Sequence, residues 1–145
     1  MATRTKLLIP VLALWALSAC RTHQIKDQTP SKGTFKVTIG YPNGEGKTFD
    51  MVYYEAYHMP MVAGFLGENL KYYEIDKGLS GRTPEETVPF LAMGHFYIAD
   101  LMAYHKAIAG HRDTIVNDFK NYTNIQPLIQ ISELLPTAAF PGKNN

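Results

Sequence analysis

His58 stands within five residues of Tyr53, Tyr54 and Tyr57 in the run Phe49-Asp50-Met51-Val52-Tyr53-Tyr54-Glu55-Ala56-Tyr57-His58-Met59-Pro60-Met61, where polar aromatic groups are denser than anywhere else in the chain. An imidazole titrates close to neutrality, so it can both take and give a proton. A phenol hydroxyl, with an ordinary pKa of about 10, donates hydrogen bonds without ionising. The implied chemistry, if the protein is an enzyme, is acid–base work by His58 on an acidic C–H of a small bound molecule, with Tyr53 or His95 steadying the anion that forms. The plainer reading makes His58 the cap of a helix end, the three tyrosines core, and His95 a satisfied histidine within the sheet.

Metal and dinucleotide chemistry lack their signatures. There is no cysteine pair and no His-Glu-x-x-His, and the acidic pair Glu85-Glu86 stands alone in a loop. His105 and His111 are six residues apart and face different ways on a helix, and His23 lies in a polar leader. The segment Gly40 to Gly46 lacks the glycine spacing and βαβ context of a dinucleotide fingerprint. No cofactor is therefore expected.

These residues need elements to position them. At about 100° per residue, Asp50, Tyr53, Tyr54, Tyr57 and Met61 fall in one arc of roughly 100°, with His58 on its edge. Pro60 should break or kink the helix just after His58 and leave that ring at a rim. Thr48 or Asp50 can cap the start. Phe35, Val37, Ile39 and Tyr41 alternate with Lys36, Thr38 and Gly40, the mark of a strand with one apolar face. Leu70 to Gly78 and Thr87 to Ile98 read as a hairpin with a long connection. Asp100 caps a second helix carrying Leu101, Tyr104, His105, Ile108, Arg112, Ile115 and Phe119 on one face, with its register broken at Gly110. Ile125 to Leu134 reads as the last strand. Strand, helix, strand, strand, helix, strand is the ferredoxin-like βαββαβ order: an α+β fold whose four-stranded antiparallel sheet carries two helices on one face.

Both faces of the third strand are apolar, Phe90, Ala92, Phe96 and Ile98 against Leu91, Met93 and Tyr97. Helices cover only one, so a second copy is the economical cover for the other. A pocket between sheet and helices would be walled by Tyr41, Tyr54, Tyr57, Met61, Met93 and Tyr97, and would suit a small hydrophobic or aromatic ligand.

Arg4 and Lys6 precede an apolar run from Leu7 to Leu17 that closes with Leu17-Ser18-Ala19-Cys20. At under the roughly 20 residues that span a bilayer, the run is a signal segment and not an anchor helix. The single cysteine of the chain stands where bacterial lipoproteins are acylated. Residues 1–19 thus read as a lipoprotein signal peptide, 20–32 as the lipidated Cys20 with a polar tether, 33–135 as one folded domain and 136–145 as a tail. Removal of Arg4 and Lys6 from 14 basic residues leaves one fewer than the 13 acidic ones, a formal charge of −1. Nothing favours nucleic acid. A lipid-anchored position in the cell envelope is expected, facing the periplasm from the outer membrane in a Gram-negative host, because residue 21 is arginine and not aspartate.

The motif set resembles the EthD family. Tyr41-Pro42-Asn43, Phe49-Asp50, Tyr53-Tyr54 and His58-Met59-Pro60 are similar to its first strand and helix, Gly94-His95-Phe96-Tyr97 to its third strand, and Asn121-Tyr122-Thr123-Asn124-Ile125-Gln126-Pro127 with Ile129-Gln130-Ile131-Ser132 to the run into its last. The resemblance spans about Gly33 to Leu135. It implies a dimeric α+β barrel with sheets facing across a two-fold axis. Two functions fit: a cofactor-independent oxidoreductase or isomerase using His58, or a non-catalytic ligand-binding or accessory lipoprotein on the same barrel.

Overall fold

Alternating apolar residues place Val37, Ile39 and Tyr41 on one side of β1 (Phe35–Pro42), and this strand becomes an inner strand of the sheet. The computed structural model describes residues 33–135; the stretches expected to be a signal segment, a lipidated Cys20 with its tether and a tail lie outside them. With β2 (Leu70–Lys77), β3 (Phe90–Ile98) and β4 (Leu128–Glu133), the sheet has the order β2-β3-β1-β4 and every pairing is antiparallel. Two helices, α1 (51–66) and α2 (Leu101–Asp118), complete the ferredoxin-like α+β fold expected from the sequence.

Two strands begin later than expected, each because of a proline. β3 starts at Phe90 and not Thr87, since Pro89 has no N–H to give the ladder; its carbonyl instead accepts from the Asn43 amide at 2.9 Å. β4 starts at Leu128 and not Ile125, since Pro127 imposes the same limit and the Ile125 amide turns to the Thr123 hydroxyl at 3.1 Å.

Helix α1 begins where Asp50 leaves extended backbone and its carboxylate accepts from the Tyr53 amide at 3.0 Å. Three segments then follow without a break: α-helical Met51–Tyr53, a π-turn at Tyr54–His58 and α-helical Met59–Leu66. The break expected at Pro60 does not occur. In a regular α-helix the proline ring would meet the carbonyl four residues back, that of Ala56. The wider turn just before it, in which the Met59 amide reaches the Tyr54 carbonyl five residues back, relieves that clash and lets the helix continue. His58 is consequently not at a rim: it is 4% exposed, in mid-helix.

The extra residue of the π-turn also changes which side chains face inward. Tyr54, His58, Met59, Val62 and Leu66 are buried against the sheet, while Tyr53 and Tyr57 lie against each other along the outer flank, their tilted rings 5.0 Å apart. Helix α2 is capped by Asp100, whose carboxylate accepts from the Ala103 amide at 2.6 Å, and it runs unbroken through Gly110. A helical glycine costs about 1 kcal/mol, which packing on either side absorbs here. Its inward stripe is narrower than expected: Tyr104 is buried, Ile108, Ile115 and Phe119 are half-buried, and His105 and Arg112 are exposed.

The core lies between the helices and one face of the sheet, where Val37, Tyr41, Phe96 and Ile98 meet Tyr54, Met59, Val62 and Leu66. Gly94 of β3 is required there. A Cβ at this position would collide with the Tyr54 hydroxyl and crowd Met59. Lys36, Thr38, Met93, His95, Tyr97 and Glu74 project from the other face, which carries no helix.

Candidate functional site

The inward stripe of α1 places one imidazole against an apolar cavity of about 80 Å³ between the helices and the sheet. Ile39 and Phe96 form its floor, Tyr54, His58 and Val62 one wall, and Tyr104, Ile108, Ile115 and Phe119 the opposite one; Pro127 and the exposed Ile129 stand at its mouth. No residue of this lining carries a fixed charge.

Asp118, the last residue of α2, holds His58 in place. Its Oδ2 lies 2.8 Å from His58 Nδ1, and its Oδ1 accepts from the Tyr53 hydroxyl at 2.8 Å and from Asn121 Nδ2 at 2.7 Å. Burial works against ionisation of Asp118, but the hydrogen bonds from His58, Tyr53 and Asn121 outweigh it and hold the carboxyl below its usual range. For His58, burial dominates over the nearby carboxylate and pushes the imidazole below its ordinary value. The two directions agree on one state at neutral pH, a neutral imidazole beside an ionised carboxylate. Because a carboxylate only accepts, the imidazole proton is on Nδ1 and the lone pair is on Nε2.

That lone pair faces Tyr122, whose hydroxyl is 3.2 Å from Nε2 and 2.8 Å from the Tyr41 hydroxyl. Tyr122 is fixed by the backbone, since its carbonyl accepts from the Asp50 amide at 2.7 Å and Thr123 bridges to Phe49. Tyr41, Phe49, Tyr54 and Tyr122 pack ring on ring with centroids 4.7–5.9 Å apart. Burial raises the hydroxyls of Tyr41, Tyr54 and Tyr122 far above the usual tyrosine value. They donate hydrogen bonds and stay protonated, so His58 is the one group of this cluster that exchanges a proton near neutrality.

Of the residues expected in the site, Tyr41, Tyr54 and His58 line the cavity. Tyr53 does not; its hydroxyl is spent on Asp118 at the outer flank of α1, which makes it a positioning residue. Tyr57 is 63% exposed, and Met61 packs beside the core without reaching the cavity. Met93, His95 and Tyr97 belong to the opposite face of the sheet. There His95 Nε2 lies 2.9 Å from Asp76 Oδ2 and its Nδ1 3.0 Å from Thr38 Oγ1, while Tyr97 donates to Glu74 at 2.8 Å and stacks on Tyr72 with centroids 4.1 Å apart. His95 thus links three strands and is walled off from the cavity by the sheet itself. Asp118, Tyr122 and Tyr104 were not among the expected site residues. The available signal for Asp118 was a carboxylate three residues after Ile115 and beside Phe119, on the apolar stripe of α2.

Among the described residues no cluster of histidine, cysteine or carboxylate side chains has the make-up of a metal site, and no helix is long and apolar enough to cross a membrane.

Fold and site together define an α+β protein of the ferredoxin-like kind with an apolar cavity under its helices. No protein-family model and no curated protein matches the chain. Solved structures do. An EthD-like protein from Ralstonia eutropha JMP134 is 38% identical, with a TM-score of 0.70 over 75% of this chain and 98% of that one. An EthD family protein from Bacillus halodurans C-125 shares the fold at 16% identity, with a TM-score of 0.54 over 70% of this chain and 99% of that one. The chain belongs to the EthD-like family.

Proposed function

We propose that this domain binds a small apolar molecule between its sheet and helices and moves a proton on it with His58, which Asp118 orients and keeps in one tautomer. The observation that carries this reading is the His58–Asp118 pair at 2.8 Å in the wall of an otherwise apolar cavity. A buried, neutral imidazole whose acceptor nitrogen is held only by the Tyr122 hydroxyl can serve as a general base without being a cation. The reaction is an isomerisation, or the proton-abstracting step of a cofactor-independent oxidation. Tyr122 occupies Nε2 only through a 3.2 Å hydrogen bond and keeps Tyr41 at 2.8 Å when it lets go, so the lone pair is released at the loss of one long bond. Deuterium incorporation into cyclopentanone, followed by NMR in D₂O, tests the assignment. The wild-type protein speeds exchange at the carbons beside the carbonyl and a folded His58→Gln variant does not; equal rates would remove His58 from the chemistry.

That same occupation of Nε2 favours a second reading, in which the cavity holds a ligand without converting it. Native mass spectrometry separates the two, since a holding protein retains its co-purified molecule unchanged through incubation and a catalyst releases an altered one.

The Leu17-Ser18-Ala19-Cys20 run supports anchoring of the domain to the cell envelope through a lipid on Cys20. Metabolic labelling with an alkynyl fatty acid marks the wild-type chain and leaves Cys20→Ser unmarked. The helix-free face of the sheet supports pairing of two copies, since Met93 there is half-buried and Leu128 is 60% exposed. Light scattering then gives twice the mass of the processed chain, and a monomer mass would sink the barrel.

A further inference from the structure

Tyr104 lines the cavity on the side of α2, across from the wall that holds His58. It is 7% exposed, yet its hydroxyl has no hydrogen-bond partner among the described residues, where every other buried tyrosine hydroxyl of the cavity wall is engaged. Among the described residues its ring meets one other ring, that of His105, edge-on. Burial alone raises its pKa, so the group remains a phenol with a proton to donate. A hydroxyl that spends its hydrogen bond on no group of the protein is available to donate one to a ligand, which supplies the bond that the protein leaves unmade. No fully buried side-chain polar atom among the described residues is left unsatisfied, so the hydroxyl keeps some accessible surface, and the residue that carries it lines the cavity.

We propose that Tyr104 is the ligand-binding donor of this cavity and that its ligand is a compact, neutral carbonyl compound, a ketone, enone or lactone, whose oxygen takes the Tyr104 hydrogen bond while a C–H beside the carbonyl faces His58. This rests on the assignment of His58 as the base and names the substrate class of that site. Three features select the class. The lining has no lysine or arginine, so a carboxylate or phosphate would be buried uncompensated. The volume of about 80 Å³ is below the roughly 150 Å³ of a closed cavity that takes benzene, so a single small ring fills it with one edge at the mouth beside Ile129, and any further bulk lies outside. One donor and one base on opposite walls match a carbonyl oxygen and its neighbouring C–H.

The step balances without a further reactant. His58 Nε2 takes the proton, the C–H electron pair moves into a carbon–carbon double bond, and the carbonyl pair moves onto oxygen as an enolate, which Tyr104 stabilises by hydrogen bonding without giving up its proton. Return of the proton from His58 to the same or the conjugated carbon regenerates the neutral imidazole and gives exchanged or isomerised product.

Cyclopentanone and methylenecyclopentane, which share a shape and differ in the acceptor oxygen, test the proposal by NMR titration of the whole protein. The wild-type protein binds the ketone roughly three- to tenfold more tightly than the alkene, the worth of one neutral hydrogen bond. Tyr104→Phe erases that preference, leaves alkene binding unchanged and keeps the melting temperature, since no protein partner is lost. Cyclopentanecarboxylate does not bind. His58→Gln keeps the ketone preference and loses deuterium exchange. A preference that survives in Tyr104→Phe overturns the role of Tyr104 while the general base stands. Exchange that survives in His58→Gln overturns the base while the donor stands, and failure of both neutral probes to bind the wild-type protein overturns both.

Discussion

Among the described residues are two histidine–aspartate pairs, one on each face of the same sheet, and they are built to different ends. His58 and Asp118 join α1 to α2 at 2.8 Å, and His95 and Asp76 join β3 to β2 at 2.9 Å. The distances hardly differ; the surroundings do. The Asp118 side chain is 13% exposed and its second oxygen is filled by Tyr53 and Asn121, whereas the Asp76 side chain is 54% exposed. The far nitrogen of His58 meets the Tyr122 hydroxyl at 3.2 Å, a longer contact than the 2.8 Å between that hydroxyl and Tyr41. The far nitrogen of His95 meets Thr38 across the strand pairing of β1 with β3. One pair presents an imidazole to a cavity, and the other fastens three strands together. A histidine–carboxylate contact therefore says little about chemistry until it is known whether a cavity lies against the ring, as it does for His58 and not for His95.

The largest effect that separates the pairs is on rate. His58→Gln lowers catalysed deuterium exchange into cyclopentanone by about 10²- to 10⁴-fold, the range for loss of a positioned general base. Asp118→Asn follows, with a loss of about tenfold or more, because the amide offers its NH₂ as readily as its oxygen to Nδ1 and unfixes the tautomer. His95→Gln and Asp76→Asn stay within about twofold, since the sheet separates them from the cavity. A comparable loss in folded His95→Gln would break the assignment of proton chemistry to the helix-covered face.

Stability sharpens the same contrast at two glycines. Gly94→Ala forces a methyl against the Tyr54 hydroxyl and Met59, both fixed in the core, and costs about 1–3 kcal/mol by urea denaturation, as overpacking does. Gly40 lies on the open face, where an added Cβ meets the Phe90 ring at 2.9 Å. That ring is half-buried at the start of β3 and can swing, so Gly40→Ala costs less than Gly94→Ala. The reverse order would mean that the open face is the more tightly packed of the two.

The strand periodicities and the two aspartate caps carry the fold in the sequence, because local spacing decides both. Site membership was legible only in part, for reasons specific to α1. Counting at 100° per residue grouped Tyr53 and Tyr57 with Tyr54, and the π-turn that Pro60 calls for rotates them outward while bringing Tyr54 and His58 inward together. Asp118 and Tyr122 reach His58 across 60 and 64 residues of chain, a pairing that no local pattern specifies. His95 looked equivalent to His58 because the alternation of β3 gives its face but not which face the helices cover.

Acid sensitivity is the smallest effect and isolates the cavity-side pair. Burial holds His58 below its ordinary 6.5 in the folded protein. Its contribution to stability is therefore complete above that value and is lost as pH falls through the folded pKa, because the unfolded chain binds a proton that the native state refuses. Asp118 is held below 3.8, so its contribution is present above that value and is lost lower on the scale, as pH falls through its folded pKa. Urea midpoints measured from pH 7.5 down to pH 5 thus decline in the wild-type protein through the histidine window. The decline is shallower in His58→Gln, with the other histidines common to both chains, and each unit of depressed pKa accounts for about 1.4 kcal/mol of the difference. Parallel curves for the two proteins would show that His58 is not held neutral, and the tautomer that frees Nε2 for a substrate proton would lose its basis.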